Sequence, residues 1–136
     1  AFSITGQLIY CVEDDRNIRE LIIYALKANG YEGAGSTKAI FLAALDSGLP
    51  SLILLDIMLS GEDGIAILKR LKALAKTQEI PVIMYGKERE YDKVLGLDNG
   101  TDGYITKPFG IMEFFSRIRA VLLAGWTGNA TEPSAG

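Results

Sequence analysis

The sequence predicts an α/β domain built around a parallel β-sheet, and three observations support that prediction. Short apolar runs that suit buried strands recur along the chain, and segments with helical spacing separate them, which is typical of βαβ units. The run at 52–55 is apolar without interruption, as expected of a strand covered by helices on both faces. A length of 136 residues, 49% of them hydrophobic, fits one domain with one sizeable core.

Five strands and five helices are predicted in alternation. The strand candidates are LIYCV (8–12), the weaker YEGAG (31–35), LILL (52–55), PVIMY (81–85) and GYIT (103–106). The helix candidates show apolar residues at helical spacing. Their stripes are Ile18-Leu21-Ile22-Ala25, Phe41-Ala44-Leu45, Ile65-Leu68-Leu71-Ala75, Tyr91-Val94-Leu95 and Ile111-Phe114-Phe115-Ile118.

The end of the chain loses this pattern. Residues 125–136, GWTGNATEPSAG, have no helical period and are predicted to be a tail or the start of a linker. The folded domain is therefore expected to span residues 1–124.

Composition excludes several classes of function. The chain has no histidine, which removes Ser-His-Asp and Cys-His catalysis and the commonest zinc ligand. A net charge of −3 argues against direct contact with nucleic acid, which usually needs a basic face. No apolar run approaches the roughly 20 residues of a membrane span, and no signal peptide is visible. A cytoplasmic location is expected, and Cys11, the only cysteine, is expected to be a core thiol.

Charged residues follow the predicted strands. The first strand is followed by Glu13, Asp14 and Asp15, the third ends in Asp56, and the fifth ends in Lys107. Because parallel strands all end at the same edge of a sheet, and ligands bind there, these side chains are expected to face one crevice.

This combination favours phosphoryl chemistry. Several carboxylates close together need a cation, because like charges raise one another's pKa values, and Mg²⁺ prefers such oxygen ligands. Lys107 offers a point charge for a phosphate oxygen, and Asp56 could hold a phosphoryl group as an acyl phosphate. The alternative for Asp14 or Asp15 is a simple helix cap, and for Lys107 an ordinary surface lysine.

Three motifs strongly resemble the receiver domains of two-component response regulators. They are CVEDDRNIRELI, LILLDIMLSGEDG and DGYITKPF, and the resemblance covers about residues 7–124. The helix IMEFFSRIRAVLLA is most similar to receivers that precede a winged-helix DNA-binding domain. The resemblance implies a doubly wound, flavodoxin-like fold with a five-stranded parallel sheet in the order 2-1-3-4-5, flanked by five helices.

The resemblance also implies roles for the charged residues. Asp56 would accept a phosphoryl group from a phosphohistidine on a sensor histidine kinase. Asp14 would bind Mg²⁺ directly, with Glu13 acting mainly through water and the backbone carbonyl of Met58 as a further ligand. Lys107 would pair with the phosphoryl group.

Further features of the family would follow from the resemblance. The Lys107-Pro108 bond would be cis, and Tyr104 matches an aromatic residue that moves inward on activation. Asp15 would be a capping residue or would act from outside the ligand shell. A homodimer would use the fourth helix, fifth strand and fifth helix, where the charged positions are Lys93, Asp102, Glu113 and Arg117. The output domain, absent from this chain, would control transcription by binding DNA.

The segment PVIMYGKERE departs from the family pattern. The family places a Thr or Ser after the fourth strand, typically in PVIMLTAK, whereas this chain is one residue shorter and has no Ser or Thr between Ile80 and Gly100. Either Tyr85 or Gly86 takes the switch position. The backbone N–H of Gly86 or Lys87, or the Tyr85 hydroxyl, could replace the missing donor.

Two functions are therefore carried forward. The first is a phosphoaccepting receiver that relays a kinase signal. The second is a receiver-like interaction module that signals by dimerisation without phosphate, which the missing Thr or Ser favours. A phosphatase of the haloacid dehalogenase type is disfavoured, because Met58 stands where those enzymes carry a second aspartate.

Overall fold

The five-stranded sheet, its helices and a small hairpin account for most of the described backbone. The structure is a computed structural model that describes residues 7–59, 62–87 and 101–130. Its strands are β1 (Leu8–Val12), β2 (Glu32–Ser36), β3 (Leu52–Asp56), β4 (Met58–Leu59), β5 (Glu62–Asp63), β6 (Val82–Lys87) and β7 (Gly103–Lys107). Its helices are α1 (Arg16–Ala28), α2 (Lys38–Ala44), α3 (Gly64–Ala73) and α4 (Ile111–Ala130), with a 3₁₀ turn at Leu45–Ser47.

The main sheet has the order β2-β1-β3-β6-β7, and every pairing in it is parallel. This confirms the predicted 2-1-3-4-5 topology, since β6 and β7 are the fourth and fifth strands of the sheet. The antiparallel hairpin β4–β5 follows β3 directly and was not predicted. Because all five strands run the same way, their carboxyl ends lie at one edge, where ligands bind in such folds.

Helices cover both faces of the sheet. Successive residues of a strand point to opposite faces, and β3 is buried along its whole length. One core cluster joins alternate strand residues to α2 and α3, and includes Leu55, Met84, Phe41 and Leu68. The other joins the intervening residues to α1 and α4, and includes Leu54, Ile83, Leu26 and Phe114.

Helix α1 begins at an aspartate cap. The carboxylate of Asp15 accepts hydrogen bonds from the backbone N–H groups of Asn17 (2.9 Å) and Ile18 (3.1 Å). Such caps stabilise a helix by about 1 kcal/mol. The capping role expected for Asp15 is confirmed, and its carboxylate is directed at α1.

The last helix is longer than predicted. Helix α4 continues to Ala130 although residues 125–130 show no helical period, and their interpretation as a tail or the start of a linker stays a prediction. Gly125 and Gly128 lower helix propensity by about 1 kcal/mol each but do not break a helix, and the next proline after Pro108 is Pro133. Residues 131–136 lie outside the described residues, and the domain limit at 124 stays a prediction.

Two predictions fall on residues 88–100, outside the part of the chain that the structure describes. They are the fourth predicted helix, with its stripe Tyr91-Val94-Leu95, and the interface position Lys93. Among the helices that are described, none is long and apolar enough to cross a membrane.

Candidate functional site

Asp56 is the buried carboxylate at the centre of the sheet edge. It ends β3, pairs in register with Tyr85 of β6, and its side chain is 6% exposed. One carboxylate oxygen, Oδ1, accepts a hydrogen bond from the backbone N–H of Met58 at 3.1 Å. The other, Oδ2, lies 3.6 Å from Nζ of Lys107. The carboxylate that interrupts the apolar run of β3 thus has both a hydrogen-bond donor and a counter-charge.

Glu13 is a second buried carboxylate at the same edge. It follows β1, is 3% exposed, and has a donor on each oxygen. The backbone N–H of Asp15 donates to Oε2 at 3.1 Å, and the Tyr85 hydroxyl donates to Oε1 at 2.8 Å. The Arg19 guanidinium donates to the Glu13 backbone carbonyl at 2.7 Å. These contacts fix the orientation of Glu13 inside the protein.

The two carboxylates affect each other electrostatically. Burial, followed by the negative charge of Glu13, raises the pKa of Asp56 to about 6, while the Met58 N–H and Lys107 act in the opposite direction. Two buried acids with this mutual repulsion are stabilised by an added cation. The site therefore favours a bound positive ion over an isolated acid pair.

Asp14 contacts the start of helix α2. Its Oδ1 accepts a hydrogen bond from the backbone N–H of Lys38, the first residue of α2, at 3.0 Å. Within the described residues no group of three or more His, Cys, Asp or Glu side chains is arranged to hold a metal ion. The structure brings Glu13 and Asp56 together, and the direct ligand role of Asp14 stays a prediction.

The donor set nevertheless fits Mg²⁺. This ion usually keeps several waters and binds one or two carboxylates together with phosphate oxygens. Glu13 and Asp56 supply two adjacent buried carboxylates, and burial together with the negative charge of Glu13 raises the pKa of Asp56. A hard cation with phosphate oxygens as its remaining ligands suits that arrangement, and the ligand role of the Met58 carbonyl stays a prediction.

Lys107 is the positively charged neighbour of Asp56. It ends β7, and its Nζ is 3.6 Å from Asp56 Oδ2 and 5.1 Å from the centre of the Tyr85 ring. Its side chain is 32% exposed, so the ammonium group can contact both Asp56 and solvent. The Lys107-Pro108 bond is cis, as the family resemblance implied.

The structure separates the two switch candidates at the end of β6. Tyr85 is fully buried, and its hydroxyl is bonded to Glu13. Gly86 faces Tyr104 instead, because a Cβ atom added to Gly86 would lie 2.7 Å from the Tyr104 hydroxyl and would collide with Ile57. Gly86 is therefore the position in contact with Tyr104.

Tyr104 points into the protein. Its side chain is buried, and its hydroxyl donates a hydrogen bond to the backbone carbonyl of Lys87 at 2.8 Å. The space next to Gly86 is filled by the Tyr104 hydroxyl and the Ile57 side chain. The lack of a side chain at residue 86 thus allows this position of Tyr104.

The predicted interface residues are only partly described. Glu113 and Arg117 are exposed and lie one turn apart on α4. The Asp102 carboxylate accepts a hydrogen bond from the backbone N–H of Val82 at 2.9 Å, which joins the start of β6 to the start of β7. An internal structural role for Asp102 is thus present, while its role in a dimer stays a prediction.

The hydrogen bond between Tyr85 and Glu13 was missed by sequence reasoning, which considered the Tyr85 hydroxyl only as a phosphate donor. One signal was available. A tyrosine inside a fully buried strand needs a partner for its hydroxyl, and the buried acids at the same edge were the nearest candidates.

Comparison with known proteins identifies the family. The sequence profile described as "Response regulator receiver domain" matches residues 9–119. The chain is 41% identical over 133 residues to the phosphate regulon transcriptional regulatory protein PhoB of Pseudomonas aeruginosa, covering 96% of this chain and 58% of that protein. It is 37% identical over 119 residues to the sensory transduction protein RegX3 of Mycobacterium tuberculosis, covering 86% and 51%. The chain spans about half the length of these curated relatives.

Solved structures agree with this assignment. NtrX from Brucella abortus superposes with a TM-score of 0.82 at 28% identity, over 91% of this chain and 29% of that chain. The signal receiver domain of a histidine kinase from Syntrophus aciditrophicus gives a TM-score of 0.78 at 27% identity, over 94% and 96%. Because the family profile covers most of the chain, and relatives more than 30% identical align along it, this chain belongs to the response regulator receiver domain family.

Proposed function

We propose that this chain is a phosphoaccepting receiver in which Asp56 takes a phosphoryl group from a phosphohistidine of a sensor histidine kinase. One observation carries the proposal. Asp56 is buried at the carboxyl edge of the sheet, beside a second buried carboxylate and 3.6 Å from the ammonium group of Lys107. A structural aspartate in a hydrophobic strand gains nothing from a second buried carboxylate beside it, because like charges raise the cost of burying both.

The roles of the residues follow from their positions. A carboxylate oxygen of Asp56 attacks phosphorus, and the bond between phosphorus and the imidazole nitrogen breaks. The other ring nitrogen of the phosphohistidine carries a proton, so that the imidazole leaves in its neutral form and an aspartyl acyl phosphate results. Lys107 moves from Asp56 to a phosphoryl oxygen and compensates the charge there. Glu13 and Asp56 would hold Mg²⁺, with Asp14 and the Met58 carbonyl as further ligands. When bound, the ion supplies positive charge to the transferring phosphoryl group.

The signal would pass to an output domain that this chain does not contain. Its curated relatives include proteins named as transcriptional regulators, of which it spans about half. A cytoplasmic, DNA-binding output that follows α4 is consistent with that length difference. Dimerisation through the face that includes β7 and α4, with Glu113 and Arg117 at its surface, would couple the two domains.

A second function is favoured by one specific observation. Gly86 occupies the switch position and has no hydroxyl to bind a phosphoryl oxygen, and Tyr104 is already bonded to the Lys87 carbonyl. A domain in that state could bind its partner without phosphorylation. The acid pair and Lys107 favour the phosphoaccepting function, since an interaction module has no evident need for them.

Labelling with phosphoramidate tests the leading function, because its P–N bond matches the bond broken in a phosphohistidine. We expect a slower-migrating species in phosphate-affinity electrophoresis that disappears with hydroxylamine, which cleaves acyl phosphates, and that is absent from Asp56→Asn. A label that persists in Asp56→Asn, or a parent protein that is never labelled, would contradict the proposal.

A further inference from the structure

Tyr85 contacts both charged groups that flank Asp56. It is the register partner of Asp56 in the neighbouring strand, and register partners in parallel strands point to the same face of a sheet. Its hydroxyl donates to Oε1 of Glu13 at 2.8 Å. Its ring centre is 5.1 Å from Nζ of Lys107.

The hydroxyl contact is buried on both sides. Tyr85 is 0% exposed and Glu13 is 3% exposed, so water does not readily replace the Tyr85 hydroxyl as a donor. With the Asp15 N–H on Oε2, the Tyr85 hydroxyl determines the direction in which the Glu13 carboxylate faces.

The ring contact is a separate interaction. A lysine ammonium within about 6 Å of an aromatic ring centre is attracted to it. Lys107 lies within that range of Tyr85 while it remains 3.6 Å from Asp56. The ring is held in place by the edge of Phe109, with ring centres 6.3 Å apart.

We propose that Tyr85 is a positioning residue of the phosphorylation site, whose hydroxyl orients Glu13 for Mg²⁺ and whose ring orients Lys107. This rests on the proposed function only in taking Glu13 as part of the Mg²⁺ site. It also assigns the Tyr85 hydroxyl to Glu13, so that the hydroxyl is not the substitute for the missing Thr or Ser on the phosphoryl group. Groups that orient a metal ligand from outside typically change metal affinity 10–100-fold when removed.

Mg²⁺ affinity, measured by isothermal titration calorimetry without any phosphodonor, tests the proposal. Tyr85→Phe removes the hydroxyl and keeps the ring, and we expect the Kd for Mg²⁺ to rise about tenfold or more. Tyr10→Phe is the matched control, because it removes a hydroxyl that is bonded to Ser36 Oγ at 2.7 Å and contacts no carboxylate. Its Kd is expected to stay within about twofold of the parent value, given that it orients no ligand.

A double-mutant cycle separates positioning from a general loss of structure. In a Glu13→Gln background, the further change Tyr85→Phe is expected to leave the Kd for Mg²⁺ unchanged, because the group that the hydroxyl orients is already altered. An equal effect of Tyr85→Phe in both backgrounds overturns the proposal, as does a parent-like Kd in the single variant.

The outcomes also separate this proposal from the proposed function. If the parent binds Mg²⁺ but is not labelled by a phosphodonor, phosphoacceptance fails while the result for Tyr85 stands. If the parent is labelled and Tyr85→Phe has a parent-like Kd, phosphoacceptance stands and the positioning role fails. If the parent binds no Mg²⁺, the positioning role is overturned.

Discussion

Two adjacent parts of the sheet edge differ in how closely they follow the family pattern. The ends of β1, β3 and β7 carry Glu13, Asp56 and Lys107, as the motifs predicted, and the structure brings these side chains together. The end of β6 carries Tyr85 and Gly86, where a Leu and a Thr or Ser are typical. One part keeps the groups expected for phosphoryl transfer, and the other changes the groups expected to respond to it.

Under the proposed function, chemistry and response would depend on separate residues within one site. A buried carboxylate beside a lysine has the parts needed to form an acyl phosphate. The response requires new charge-assisted hydrogen bonds at a bistable element, and Gly86 removes one donor from it. Tyr85 and Tyr104 lie in the same region, where their hydroxyls donate to Glu13 and to the backbone carbonyl of Lys87.

The largest effect is expected from Lys107→Met, which removes one of the charged groups that follow the family pattern. Removing a charge-assisted contact costs about 1.5–3 kcal/mol, so labelling of Asp56 by acetyl phosphate should slow about 10- to 100-fold. Lys76→Met is the control, because Lys76 pairs with Asp46 at an exposed surface, where such pairs contribute little. Equal labelling rates in the two variants would remove Lys107 from the site.

Gly86→Ala tests whether the end of β6, which departs from the family pattern, is tightly packed. The added Cβ would collide with Ile57 and lie 2.7 Å from the Tyr104 hydroxyl. Such overpacking costs about 1–3 kcal/mol, and the free energy of unfolding measured with urea should fall accordingly. Gly103→Ala is the control, because its Cβ would lie 3.9 Å from Ile83 Cγ1, an ordinary contact. A parent-like stability for Gly86→Ala would show that Tyr104 and Ile57 move freely.

The pH dependence of stability should differ between the parent and Asp56→Asn. The pKa of Asp56 is raised to about 6 in the folded protein, so the folded state binds its proton more tightly than the unfolded state. This contribution favours folding at low pH and is lost as pH rises from about 4 to about 6.

At pH 7, Asp56→Asn should therefore be the more stable protein, by about 2 kcal/mol. The difference should fade towards pH 4, and added Mg²⁺ should reduce it. Urea denaturation of both proteins at pH 4.5 and pH 7 measures the effect. A difference that is independent of pH would show that the pKa of Asp56 is not raised in the folded protein.

The smallest effect is expected from Asp15→Ala, which separates capping from metal binding. Loss of the α1 cap should lower the free energy of unfolding by about 1 kcal/mol. The Kd for Mg²⁺ should not change, because Glu13 contacts the backbone N–H of Asp15 and not its carboxylate. Asp46→Ala provides an exposed acidic control. A weaker Mg²⁺ affinity in Asp15→Ala alone would give this carboxylate a part in the site.

The sheet topology and the position of the main acidic groups could be predicted from sequence. Parallel strands end at one edge, so a residue that follows a strand is placed by the strand itself, as for Glu13, Asp56 and Lys107. Side-chain direction is less constrained by that argument. Asp14 follows the same strand as Glu13, yet the Asp14 carboxylate contacts the N–H of Lys38.

Other features depend on packing that the sequence pattern does not encode. The Tyr85 hydroxyl has several polar groups within reach of its strand, and only the packed core selects Glu13 as the acceptor. Helix α4 continues through Gly125 and Gly128 to Ala130. A segment without an apolar period gives no sequence signal that it is helical. The hairpin β4–β5 joins two-residue strands, which are too short to show a period.

The most direct test of phosphoacceptance at Asp56 is intact-mass spectrometry of the parent and of Asp56→Asn after incubation with acetyl phosphate and Mg²⁺. We expect phosphoryl chemistry at Asp56 to be retained although no Ser or Thr stands between Ile80 and Gly100. We expect one phosphoryl adduct on the parent and none on Asp56→Asn. A parent without an adduct, under conditions that label another receiver domain and with rapid hydrolysis excluded by a beryllofluoride-binding measurement, would contradict it.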